Sequence, residues 1–145
     1  MTTGTLSTTT ADGSTRARRR RSGLARPTAM RLAATEYERW VTLLGQLQPS
    51  DWQRPTDCTE WNVRQLVAHV VGMAELWSTL REQVHQLRTA AKGDGVYIDD
   101  LTALQVRERE VATPAELIER LRIAAPKAVK RRRRFSRLKI GRAHV

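Results

Sequence analysis

The sequence predicts an all-α protein, an up-down bundle of amphipathic helices. Three observations carry this. Apolar residues recur at three- and four-residue steps through three long segments. Good N-capping signals stand at the heads of two of them. No alternating strand pattern of useful length occurs, and aromatics are only 5% of the chain, which argues against an aromatic-rich β-sandwich. A length of 145 residues fits one domain and not comfortably two.

The first helix is expected over Thr28–Leu47. Pro27 suits a helix start, and Met30, Ala33, Tyr37, Trp40, Val41 and Leu44 form one apolar stripe. Residues 48–61 follow as a connector, because Pro49 and Pro55 forbid a continuous helix there, while Trp52 and Trp61 imply that it packs. The second helix opens at Asn62, an N-cap with Gln65 three residues on. It carries Leu66, Val70, Met73, Trp77 and Leu80 and is expected to reach Ala91, before Gly93 and Gly95. Gly72 inside it is a weakness of up to ~1 kcal/mol unless a neighbour packs close. Asp99 and Asp100 cap a shorter helix through Leu101, Leu104, Gln105 and Val106. Thr113-Pro114-Ala115-Glu116 combines an N-cap, a first-position proline and a third-position glutamate. It heads a third long helix lined by Leu117, Leu121, Ala124 and Ala128, and Pro126 is expected to kink or end it.

The net charge is +11, but it is unevenly placed. Residues 1–26 carry six Arg and one Asp, for +5; residues 127–145 carry nine Lys or Arg and no acid, for +9. The middle, residues 27–126, holds 11 basic and 14 acidic residues, for −3. The basic excess therefore belongs to the ends and says little about the folded part, so nucleic acid is not the expected partner. Residues 1–26 are low-complexity and read as a disordered leader. Residues 131–145 read as a basic tail, and Ile140-Gly141-Arg142-Ala143-His144-Val145 resembles a translated sequencing adapter, which leaves His144 out of consideration. The run Lys130–Arg134 is either a basic helix end or a solvated tail. One cysteine, Cys58, excludes an internal disulfide framework and a multi-thiolate zinc knot. No apolar run approaches the ~18 residues of a membrane span, and no apolar signal segment opens the chain, so the expected compartment is the cytoplasm.

His69 is the residue whose placement suggests chemistry. It lies at the edge of the second helix's stripe, where an imidazole can ligate a divalent metal together with facing helices. Spacing alone favours instead a histidine satisfied by a carbonyl or water at the core boundary, since a ligand set needs three or four groups. His85 falls off that face and reads as a surface residue. Cys58 reads as a small packing residue rather than an activated thiol, since no His or Lys adjoins it. Trp52 and Trp61 line a substrate mouth or anchor the connector. Arg64 is solvated or pairs with Asp57 or Glu60.

The segment Pro55-Thr56-Asp57-Cys58-Thr59-Glu60-Trp61-Asn62-Val63-Arg64-Gln65-Leu66-Val67-Ala68-His69-Val70 closely resembles the signature of the mycothiol-dependent maleylpyruvate isomerase family, part of the DinB-like helical-bundle superfamily. Leu47–Trp52 is similar to the family's approach to that motif. Leu101–Arg107 and Thr113–Leu117 are similar to the start of its third helix. The resemblance spans about residues 27–130. It implies a DinB-like bundle with three of four main helices present. It also implies that His69 is the first ligand of a divalent metal, zinc by expectation, and that mycothiol is the thiol cofactor. The implied chemistry is a thiolate adding to a cis double bond, with rotation and elimination giving the trans product; related members transfer thiols. The family's further ligands come from a later Glu/Asp/His-x-x-x-His pair, and no such pair follows residue 85. The expectation is therefore an N-terminal fragment of a mycothiol-dependent isomerase or thiol transferase. The alternative is a non-catalytic helical binding module whose basic ends contact nucleic acid or an acidic partner, or whose exposed stripe drives oligomerisation.

Overall fold

A computed structural model describes residues 23–140, with side chains described through Arg134. The adapter-like residues 141–145 and residues 1–22 of the leader lie outside the described residues. Five α-helices are described: α1 (Arg26–Leu44), α2 (Val63–Ser78), α3 (Leu80–Ala90), α4 (Tyr97–Arg107) and α5 (Pro114–Ile140), with a single 3-10 turn at Pro49–Gln53. No strand occurs among the described residues; one isolated bridge pairs Pro55 with Asn62. The all-α bundle expected from periodicity is what the chain forms.

α2 is the hub of the fold, with α5 on one side and α3 and α4 on another, while α1 packs along α5. The apolar core lies between α1, α2 and α5. It contains Leu44, Val67, Val71, Ala74, Leu117, Leu121 and Ala124, and it extends to Trp52 of the 3-10 turn. The α1 stripe holds as expected: Tyr37, Trp40 and Val41 pack against this core beside buried Leu44. The α5 stripe also holds, with Leu117, Leu121, Ala124 and Ala128 all buried. On α2 the expected stripe is displaced. Val67, Ala68, Val71, Gly72, Ala74 and Leu76 are buried, whereas Leu66, Val70, Met73 and Trp77 are half-buried. A helix with neighbours on several sides has no single wet face, so one apolar stripe does not describe it.

The second helix does not run on to Ala91. It stops at Ser78, and Thr79 adopts an extended backbone (φ −136°, ψ 159°) that serves both as the C-cap of α2 and as the N-cap of α3. The Thr79 hydroxyl accepts from the Glu82 N–H at 3.2 Å, and the Ser78 hydroxyl donates to the Glu75 carbonyl at 2.8 Å. Paired hydroxyl residues offer the backbone these alternatives to the helical ladder. Leu80 consequently leaves the stripe and is 63% exposed. α4 begins earlier than expected, at Tyr97, with Val96 rather than Asp99 or Asp100 as its N-cap and no side-chain bond from it. Asp99 and Asp100 sit in its first turn, where their charge suits the helix dipole.

Two capping signals are realised as read. The Asn62 side chain accepts from Gln65 N at 2.9 Å, and Gln65 Oε1 accepts from Asn62 N at 3.0 Å. Glu116 reaches back to Thr113 N at 2.7 Å. α5 continues through Pro126. That proline cannot donate to the Arg122 carbonyl, but both residues are exposed, so water is at hand for it. The basic run is helical, and part of it folds onto the bundle. Arg131 donates to the Thr79 carbonyl and to Gln83 Oε1, and the Arg132 guanidinium lies 5.2 Å from the centre of the Trp77 ring.

The α2–α4 contact rests on Gly72. A Cβ there would stand 2.6 Å from Gln105 Cβ and 2.7 Å from its Cγ. Gln105 Cβ is fixed to the α4 backbone, so the two helices would have to part. Gly72→Ala gains up to ~1 kcal/mol of helix propensity but incurs an overpacking penalty of about 1–3 kcal/mol. The expected outcome in urea denaturation is a net loss of stability. Gly23→Ala, with nothing within 4 Å of the added methyl, is the matched control and should stay within about 0.5 kcal/mol of the parent.

Candidate functional site

The connector builds the approach to His69. Thr56 N donates to the Trp61 carbonyl at 3.2 Å, the Thr56 hydroxyl donates to the same oxygen at 2.9 Å, and Val63 N donates to the Arg54 carbonyl at 2.9 Å. The loop closes on itself and delivers Trp61 at the foot of α2. Two turns up that helix, His69 meets the indole, with ring centroids 5.3 Å apart and planes inclined by 43°. The sequence left Trp61 between mouth and anchor; its carbonyl and N–H close the connector turn. Trp61 contacts His69 and also lines a cleft of about 420 Å³ with Arg64, Ala68, Val106, Arg107 and Glu110. His69 is not part of that cleft's wall.

The imidazole is half-buried, and its Nδ1 is a buried atom without a hydrogen-bond partner among the described residues. Burial holds its pKa below the ordinary 6.5; the nearby Gln105 side chain opposes this, and the Arg109 charge adds to it. The ring is thus neutral at neutral pH, the form that ligates metal.

Behind His69, between α2, α3 and α4, lies a buried polar network. Gln86, Gln105 and Arg109 are 0%, 0% and 1% exposed. Gln86 Nε2 donates to the Gly72 carbonyl at 3.1 Å and to Glu82 Oε1 at 2.9 Å. Gln105 Nε2 donates to Gln86 Oε1 at 2.9 Å. Arg109 binds Glu75 Oε2 through both Nε, at 2.9 Å, and a terminal nitrogen, and it donates to the Gln105 carbonyl at 2.8 Å. Arg120 of α5 grips the same Glu75 carboxylate at 2.7 and 2.9 Å. Burial pushes the Glu75 carboxyl upward, but the hydrogen bonds and charges of Arg120 and Arg109 outweigh it and hold the pKa below 4.5.

None of Glu75, Gln86, Arg109 and Arg120 emerges from sequence reasoning as part of this region. The available signals were a glutamate inside the apolar run of α2, a glutamine among the apolar positions of α4, and an arginine one turn after that glutamine. Arg64 pairs with neither Asp57 nor Glu60. Its guanidinium donates to the carbonyls of Glu110 and Ala112, clasping the foot of α2 to the segment before α5. Cys58 is exposed, so it is not the packing residue expected. Its carbonyl closes the connector turn by accepting from Trp61 N at 2.8 Å. His85 is exposed as expected and pairs with Glu108 at 2.7 Å.

Among the described residues, no group of three or more His, Cys, Asp or Glu side chains stands close enough to hold a metal ion. A neutral, half-buried His69 suits one ligand position. The described residues do not supply the others, so by themselves they do not fit a metal.

These features define an all-α helical-bundle domain. The profile of the mycothiol maleylpyruvate isomerase N-terminal domain matches residues 33–137, and the chain belongs to that family. No curated protein and no solved structure matches it. Among the described residues, no helix is long and apolar enough to cross a membrane.

Two consequences are measurable. Glu75→Gln removes the negative charge paired with a fully buried Arg109, and leaving a buried charge uncompensated costs about 3–5 kcal/mol. Glu82 at 3.7 Å and Glu108 at 3.9 Å remain as weaker partners, which places the expected loss at the lower end. Acid should destabilise the fold in two stages. His69 has a folded pKa below 6.5, so the unfolded chain takes up its proton first, and stability falls as pH drops below that value. Glu75 has a folded pKa below 4.5. Its contribution is complete above that value and is lost as pH falls through the folded pKa. Urea midpoints between pH 8 and 3 should show both stages, and Glu75→Gln should diminish the second, to which Glu116 at the head of α5 also contributes.

Proposed function

We propose that this chain forms the N-terminal bundle of a mycothiol-dependent isomerase or thiol transferase. In this reading His69 is one ligand of a divalent metal, with zinc the first candidate. The supporting observation is the His69 ring itself: inside the family's motif, half-buried against Trp61, with burial keeping it unprotonated. Family membership supports the link to mycothiol. The remaining ligands come from groups outside the described residues. The chain's own residues hold the ring: Trp61 covers one side, the Gly72 contact brings α4 against α2, and Arg64 fixes the foot of the helix. A partner thiol of low molecular weight fits a reducing cytoplasm.

Cobalt(II) titration of the full chain, followed by its visible absorption, tests the ligand role. The expected result is weak binding with an imidazole-dependent spectral change that His69→Ala abolishes, and no tight stoichiometric site. Superimposable titrations of parent and His69→Ala would remove His69 from the reading.

A further inference from the structure

Gln105 and Gln86 form a chain of side-chain amides whose direction is fixed at its far end. Gln86 must present its NH2 group to the Gly72 carbonyl and to the Glu82 carboxylate, since both are acceptors only. Its Oε1 then faces Gln105 and accepts from Gln105 Nε2 at 2.9 Å. A weak acceptor, Met73 Sδ at 3.4 Å, lies on the same Gln105 nitrogen. Neither amide can flip without setting donor against donor or acceptor against acceptor in a dry site. The relay therefore ends on Gln105 Oε1, an oxygen that is buried and has no partner among the described residues.

The matching atom is His69 Nδ1, also buried and also without a partner. His69 lies one turn before Gly72 on α2, and Gly72 is the residue against which Gln105 packs, so both atoms sit at the same helix crossing. An amide oxygen accepts only, so an N–H is the ring form that satisfies it. We infer that Gln105, oriented by Gln86, is the acceptor for His69 Nδ1–H and fixes the ring in the Nδ1–H tautomer, leaving the Nε2 lone pair as the ring's free donor. Gln105 is a positioning residue. It acts through His69 and supplies the second hydrogen bond that orients a ligating imidazole. Its purpose rests on the proposed ligand role of His69, but the tautomer exists without any metal.

The test is long-range 1H–15N NMR of the labelled, metal-free full chain at pH 8, with His69 assigned by its absence in His69→Ala. An unconstrained neutral imidazole favours Nε2–H. The expected parent spectrum has a protonated-type Nδ1 shift and a lone-pair-type Nε2 shift. Gln105→Leu should reverse the dominant tautomer. Gln86→Leu, which frees the Gln105 amide to turn, should give a mixture. A parent ring in the Nε2–H form, or a Gln105→Leu ring unchanged from a parent in the Nδ1–H form, overturns the inference. The parent measurement decides even where the leucine variants do not fold. If the tautomer is as stated and cobalt ignores His69, the ligand reading fails and the relay stands; if cobalt binds His69 in the Nε2–H form, the relay fails alone.

Discussion

The missing side chain at position 72 governs one entire side of the molecule. It lets α4 lie against α2 closely enough for a methyl group to collide with Gln105. Once the helices are that close, water is excluded between them, and every polar group at the seam must find a protein partner. The Gly72 carbonyl receives Gln86, Gln86 receives Gln105, and Glu75 receives Arg109, which lies one turn beyond Gln105. The glycine weakens α2 as an isolated helix and specifies its neighbour.

α2 thus has two unlike faces inside one small domain. Toward α1 and α5 it presents Val67, Val71 and Ala74 to an apolar core, where burial is non-directional and many arrangements are nearly equivalent. Toward α3 and α4 it meets amides and an ion pair, where a misplaced hydrogen bond costs far more than a misplaced methyl. The first face supplies cohesion, the second register. His69 stands at the edge of the registered face. A ring whose angle matters is better fixed by directional bonds than by packing alone.

Much of this was legible in the chain. The stripes of α1 and α5 lie where three- and four-residue spacing puts them, and the boxes at Asn62–Gln65 and Thr113–Glu116 form as written. The break at Thr79 was not read, although Thr79-Leu80-Arg81-Glu82 is itself a capping pattern. A long apolar periodicity drowns such a signal, and only the tertiary gain of turning α3 back onto α2 decides the matter. His69 could be singled out, but its surroundings could not. Gln86, Gln105 and Glu75 come from three helices, and nothing local marks a polar residue as buried until its partner is known. The membership of the chain in its family was legible from residues 55–70 for the opposite reason: those residues are contiguous.

The clasp that Arg64 makes on the Glu110 and Ala112 carbonyls differs in kind from the rest of the polar seam. A guanidinium keeps its charge across the whole pH range in which proteins survive, and a backbone carbonyl does not titrate at all. Acidification that protonates Glu75 and His69 leaves this joint untouched. The domain therefore contains a fuse and a rivet side by side: the interior between α2 and α4 loosens, while the foot of α2 stays fastened to the head of the long final helix.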